Sequence, residues 1–303
     1  MQAVMTTMAE MILMLLIGFV CARLKITGPE FNKHSSKLMT TVLIPATILN
    51  SVMAVELPSD SSDVALVLLM YCVMMLISFI IGKITAKIMP FGPKEQSVAF
   101  SLVMFMNIVF IGFPLAEAVY GPSVLFYCGL SCLPFNLLLY SVGTASLRNE
   151  PGQGVRLKDA MNPSLLAAVL SILIFLLKMH FPQPIVATVH MVSGATVPMS
   201  MIILGTSLGG MPIKTSVSDW RIYVLSAVRL LLCPIVTFYV LGLMCQNEVL
   251  VGVVTILSAT PSAVMLTAMS IEYGVDDTLA SKGIFISTIL TAVTIPFLVW
   301  LLL

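Results

Sequence analysis

The chain has 303 residues, of which 59% are hydrophobic and only 10% charged, with a formal net charge of +1. Mean hydropathy is +1.07, whereas a soluble domain carries roughly 25% charged residues, so a water-facing globule is excluded and a polytopic membrane protein is expected. The near-zero charge excludes recognition of nucleic acid by bulk electrostatics, and no nucleic-acid partner is expected.

A membrane helix needs about 20 mostly apolar residues. In chain order, ten such runs are predicted near 3–22, 38–55, 64–89, 96–118, 123–147, 161–179, 187–208, 219–243, 248–271 and 279–303. Helix-breaking punctuation separates them, as at Thr27-Gly28-Pro29, Pro90-Phe91-Gly92-Pro93 and Tyr120-Gly121-Pro122. The loops after odd-numbered spans collect Arg23, Lys25, Lys33 and Lys37, then Lys83, Lys87 and Lys94, and later Arg148, Lys214 and Lys282. The opposite loops hold Glu56, Asp60, Asp63 and Glu248 against a single cation, Lys178. By the positive-inside rule the basic loops face the cytoplasm and both termini lie outside. The lipid bilayer is thus an expected partner.

The chain also matches itself at one constant offset. Pro45 falls on Pro198, Tyr120 on Tyr273 and Gly121 on Gly274, and the same shift carries spans two to five onto seven to ten. With five spans per half, the second half enters the membrane from the opposite side. Inverted repeats of this kind occur in secondary transporters, with the substrate near the midplane at the repeat interface. The expected organisation is a first five-helix repeat at 1–147, a cytoplasmic linker at 148–160 and a second, inverted repeat at 161–303, all α-helical.

Spans four and nine carry the polar residues at depth. Span four contains Asn107, Gly112, Phe113 and Pro114; span nine contains Ser258, Thr260, Pro261 and Ser262. Proline in a helix interior removes a hydrogen bond and clashes with the preceding turn. In lipid the freed carbonyls must be satisfied by protein or water, so such breaks occur where a cavity is lined. Gly112, Pro114 and Pro261 are the expected helix breaks, and the repeat lays Asn107 over Thr260, beside Pro261. Matched breaks favour a binding site over two independent kinks, and half-helix N-termini at the gap favour an anion.

Arg229 lies nine residues beyond Trp220, about 13 Å along the helix. An unpaired cation there costs at least ~2.5–3.5 kcal/mol. It either binds a substrate carboxylate or caps the exposed carbonyls of a broken helix; the residues leave both open. Asn50, Ser131 and Asn136 are further candidates for substrate binding. Cys128 and Cys132 share a helix face, but no third ligand accompanies them, and neither a metal nor a cofactor is expected. The 22 methionines are scattered and read as gap-filling.

The pattern Asn-x4-Gly-Phe-Pro-x5-Tyr-Gly from Asn107 to Gly121, the Thr260-Pro261-Ser262 break and the stretch Arg229-Leu-Leu-Leu-Cys-Pro234 resemble the auxin efflux carrier family over essentially the whole chain. The long central cytoplasmic loop of plant auxin carriers is missing, which argues against auxin as substrate. The resemblance implies that helices four and nine cross at the substrate site, with Asn107 contacting a carboxylate. It implies a scaffold of spans one, two, six and seven, a mobile unit of three to five and eight to ten, elevator-type transport and a homodimer through the scaffold. Bacterial relatives suggest small organic anions such as malonate or malate as partners. A sodium-coupled carrier like the bile-acid symporters, or a carrier of an amino acid or aromatic acid, is the alternative. No enzyme constellation such as His-Glu-x-x-His or Gly-x-Ser-x-Gly with a histidine is present, and no Walker motif would drive transport by ATP.

Overall fold

The structure is a computed structural model that describes residues 2–53, 62–147, 163–179, 181–210, 219–273, 275 and 277–302. The expected linker at 148–160 lies outside the described residues. Among those residues the chain is helical throughout, with no strand and one isolated β-bridge.

Among the described residues five helical stretches are long and apolar enough to cross a membrane: Val64–Ile88, Pro122–Leu147, Gln183–Gly210, Trp220–Met244 and Thr278–Leu302. They correspond to expected spans three, five, seven, eight and ten. Expected spans four and nine are interrupted, span two runs on through a π turn, and span six is a 15-residue helix. Large apolar side chains point outward, Leu243 at 91% and Val293 at 71% exposure. Water would penalise such a surface and lipid does not.

The chain divides into two compact units. The first comprises residues 1–68, 109–133 and 161–211. It contains α1 (Gln2–Arg23), α2 (Pro29–Leu38), α3 (Ile44–Met53), α6 (Phe113–Tyr120), α7 (Leu125–Leu130), α10 (Pro163–Leu177), α11 (Gln183–Gly194) and α12 (Thr196–Gly210). Its main contact is α1 against α12. Glycines set that approach: a Cβ at Gly205 would lie 2.0 Å from the Leu15 carbonyl oxygen, and one at Gly18 2.4 Å from that of Ile202. Membrane helices gain most from such close backbone packing, because lipid is as apolar as their side chains. Next to it α3 packs on α10 and α11, where the hydroxyls of Thr47 and Thr196 lie 2.7 Å apart and both reach the Leu43 carbonyl. The resemblance would place all of spans four and five with the mobile elements. Instead 109–133 belongs to this first unit, because α6 packs on α1 and α7 packs on α3.

The second unit comprises 69–108, 134–160 and 212–303. Its described elements are most of α4 (Ser62–Ile88), α5 (Pro93–Met104), the end of α8 (Cys132–Leu138), α9 (Thr144–Leu147), α13 (Trp220–Ala227), α14 (Cys233–Met244), α15 (Glu248–Ser258), α16 (Met265–Glu272) and α17 (Asp277–Leu302). Arg221 ties its polar end together. Its guanidinium bonds Glu95 at 3.1 Å and Asp219 at 2.7 Å, donates to the Pro90 carbonyl and lies over the Phe91 ring. The Gly92 N–H donated to its carboxylate, followed by Arg221, holds Glu95 below the usual carboxylate range.

Among the described residues four π-helical turns punctuate the helices: Met39–Leu43, Ile108–Gly112, Leu139–Gly143 and Val228–Leu232. Three of them end two residues before a proline, at Pro45, Pro114 and Pro234. Proline cannot donate to the residue four back and its ring strikes that carbonyl. Widening the preceding turn relieves the clash and keeps the helix going.

Candidate functional site

The site grows from two interruptions in the second unit. After Met104 the backbone leaves the helix, Phe105 is extended (φ −100, ψ 119), and helical structure resumes at Ile108. After Ser258 the chain again leaves the helix, and α16 begins at Met265. The two extended pieces pair antiparallel. Asn107 N–H donates to the Pro261 carbonyl at 2.8 Å, Ala263 N–H donates to the Phe105 carbonyl at 3.0 Å, and Met106 faces Ser262 across the bridge. Each broken helix thus satisfies the other's orphaned backbone groups, which lipid could not.

The helix-break expectations are corrected at one of the two places. Pro261 lies in the interruption, since its missing N–H leaves no helical bond to lose and its carbonyl accepts from Asn107. Gly112 and Pro114 do not break helix four. They end the π turn Ile108–Gly112 and begin α6, and the break falls at Phe105–Asn107. Pro114 only widens the turn before it, whereas the extended piece is held open by pairing with the partner strand.

Side chains then lock the crossing. Ser262 Oγ donates to the Leu102 carbonyl at 2.7 Å, and Ser262 N–H donates to Ser287 Oγ on α17 at 3.3 Å. Thr260 Oγ1 donates to the Leu257 carbonyl at 2.8 Å, so it is spent on the end of its own half-helix. Asn107, Thr260, Ser262 and Arg229 are all buried. Arg229, on the π turn Val228–Leu232, has its guanidinium on three main-chain carbonyls: Nε to Thr260 at 3.2 Å, Nη1 to Val103 at 3.5 Å and Nη2 to Ser258. Of the two uses open to this residue, the geometry is that of capping. Phe105 packs edge-on against Phe135 with ring centroids 6.0 Å apart, which sets the neighbouring Asn136, also buried, in the same unit.

The remaining candidates, Asn50 and Ser131, belong to the first unit. Gly129 lets α7 approach α3 at Ile48, where a Cβ would lie 3.1 Å from that side chain. Ser131 Oγ donates to the Cys128 carbonyl in the turn between α7 and α8. Asn50 is buried on α3, and its Oδ1 has no hydrogen-bond partner among the described residues. Sequence reasoning passed over Ser287 and Thr237 as participants, and noted Ser258 without giving it a role. Thr237 and Ser258 hydroxyls meet at 3.3 Å, and Thr291 Oγ1 donates to the Ser287 carbonyl. The available signal was small hydroxyl residues within apolar helices, such as Ser287 and Thr291 one turn apart. Among the described residues no group of three metal-ligating side chains is found.

Comparison with known proteins agrees with this architecture. A family model described as membrane transport protein matches residues 3–153 and 149–299. An uncharacterized transporter of Methanothermobacter thermautotrophicus is 26% identical over 293 residues, covering 96% of this chain and 95% of the relative. An uncharacterized transporter of Methanocaldococcus jannaschii is 26% identical over 310 residues, covering 96% of each chain. Matched along nearly its whole length, with apolar helices and a hydrogen-bonded crossing of two broken ones, the chain belongs to the membrane transport protein family, the auxin efflux carrier relatives that its motifs resemble.

Proposed function

We propose that this chain is a secondary active transporter of small organic anions, mono- or dicarboxylates such as malonate or malate. The anion binds where broken helices four and nine cross, and elevator-type alternating access carries it over. In this reading the ten spans form two inverted five-helix repeats in the plasma membrane of a bacterial cell, with both termini outside. The observation that carries it is the antiparallel pairing of Phe105–Asn107 with Pro261–Ala263. Directly beyond it two half-helices begin, at Ile108 and Met265. The first turns of half-helices present a positive dipole end, which favours a carboxylate. Asn107, at the entrance of one of them, is the substrate-contacting side chain, with Ser262 and Thr260 shaping the crossing. Arg229 acts through the backbone it caps. The division into two compact units supports relative motion of this kind.

The test is a thermal-shift screen of the purified chain in detergent against mono- and dicarboxylates, with amino acids and organic cations as controls. One organic acid should raise the midpoint, and Asn107→Ala should fold but lose that shift. A hydrogen bond to a charged group is worth about 1.5–3 kcal/mol, so affinity should fall roughly 10- to 150-fold. Counterflow in proteoliposomes should fall with it. Full retention of binding and transport by Asn107→Ala would remove the crossing as the site, and a shift with amino acids or cations alone would overturn the substrate class.

A further inference from the structure

Arg229 is 0% exposed, and its guanidinium donates to three main-chain carbonyls, with the Cys233 side chain beside it as a further partner. Among the described residues no carboxylate pairs with it; the ion pairs there are those of Arg221. The three oxygen acceptors are of one kind. Val103 is the penultimate residue of α5, Ser258 is the last of α15, and Thr260 follows two residues later. The C-terminal ends of two half-helices therefore converge on one positive charge. Each end presents orphaned carbonyls and about half a negative charge. In ion-coupled transporters, carbonyls at the C-terminal ends and unwound parts of discontinuous helices are the ligands that hold Na⁺. Here the same kind of ligand set is occupied by a cation that is covalently part of the chain. No other cationic side chain among the described residues is fully buried.

We propose that Arg229 is a tethered replacement for a coupling cation. It neutralises both half-helix ends permanently, holds the crossing closed in the absence of any bound ion, and makes the crossing indifferent to Na⁺. The consequence for transport rests on the organic-anion reading above; the consequence for the ion does not. The carbonyl cage is itself a monovalent-cation site, vacated when the arginine is removed. Within the cage a small guanidinium compound should fit best, because it restores the planar set of N–H donors.

The experiment follows thermal unfolding of the full chain in detergent, in NaCl, KCl or choline chloride at equal ionic strength, with and without millimolar methylguanidinium. The wild-type midpoint should be the same in all three salts and unmoved by methylguanidinium. Arg229→Ala should melt several degrees lower, and methylguanidinium should restore about 2–4 °C of that loss. Arg229→Lys keeps the charge and should fold and remain indifferent to Na⁺. Selective stabilisation of the wild type by Na⁺ would overturn the proposal. So would an Arg229→Ala variant that neither methylguanidinium nor Na⁺ stabilises, or an Arg229→Met variant as stable as the wild type. If Arg229→Ala cannot be purified, Arg229→Lys decides: a folded variant supports the need for a fixed charge, and its equal failure refutes it. No substrate enters these measurements, so their failure leaves the organic-anion reading standing. Sodium-independent uptake of some other substrate class would do the reverse.

Discussion

Substituting Gly205 by alanine tests whether backbone contact between α1 and α12 holds the first unit together. The added Cβ would lie 2.0 Å from the Leu15 carbonyl oxygen and 2.8 Å from the Phe19 nitrogen. Carbon–oxygen contacts between packed helices sit at about 3.3–3.6 Å, so the helices must part by more than about 1 Å at this point. Both opposing atoms are main chain, and no rotamer change can move them aside. Gly209 and Gly18 make similar approaches, a Cβ at Gly209 reaching 2.8 Å from the Phe19 carbonyl oxygen. Separation at one turn therefore loosens the others along α12, a 15-residue helix. Overpacking costs about 1–3 kcal/mol and occasionally more, and this case belongs at the upper end. At about 2–4 °C per kcal/mol, the midpoint should fall roughly 6–12 °C. The readout is the fraction of monodisperse protein remaining in size-exclusion chromatography after heating in detergent. Gly242→Ala in α14 is the control, because no atom lies within 4 Å of its added Cβ, and alanine should hold or slightly raise the midpoint there. Equal melting of the two variants would refute the packing argument.

Ser262→Ala removes the hydroxyl that satisfies the Leu102 carbonyl at 2.7 Å. Leaving a buried acceptor unpaired costs about 1–3 kcal/mol, so the midpoint should fall roughly 2–12 °C, and an unchanged one would show that water reaches the crossing. Glu95 should make an acid-sensitive contribution to stability. Its folded-state pKa lies below the ordinary value of 4.5, so the contribution is present above that value and lost as pH falls through the folded one. Midpoints measured from pH 6 downward should converge for wild type and Glu95→Gln; a constant gap between them would contradict the linkage.

How much was legible in the sequence depended on whether the cause was local. The break at Pro261 was readable because the proline itself sits in it. The break at Phe105–Asn107 was not, because those residues have no special backbone demand, and the extended piece exists only through pairing with Pro261–Ala263. Gly112 and Pro114 misled for the same reason in reverse: their chemistry is strong, but a widened turn absorbs it without breaking the helix. The depth of Arg229 could be counted from Trp220, yet its acceptors could not, since carbonyls carry no side-chain signature. Polar residues gathered at the crossing, Asn107, Thr260 and Ser262, were found because apolar helices make each one conspicuous. Ser287 escaped because its role is to accept a main-chain N–H from an element far away in sequence.

The π turns turn arithmetic into direction. Each uses one residue more than an α turn for nearly the same advance, so everything beyond it is rotated by about 100° about the helix axis. In the helix running from Trp220 to Met244, that surplus residue lies between the part that carries Arg221 and the part that carries Thr237, which meets Ser258. Deleting a single leucine, Leu231 or Leu232, would let an ordinary α turn replace the π turn and leave Thr237 and Leu241 on their buried face, whereas the same deletion in an α-helical stretch would swing one end by about 100°. A one-residue gap placed at the π turn is slack, while the same gap a turn away is a change of heading.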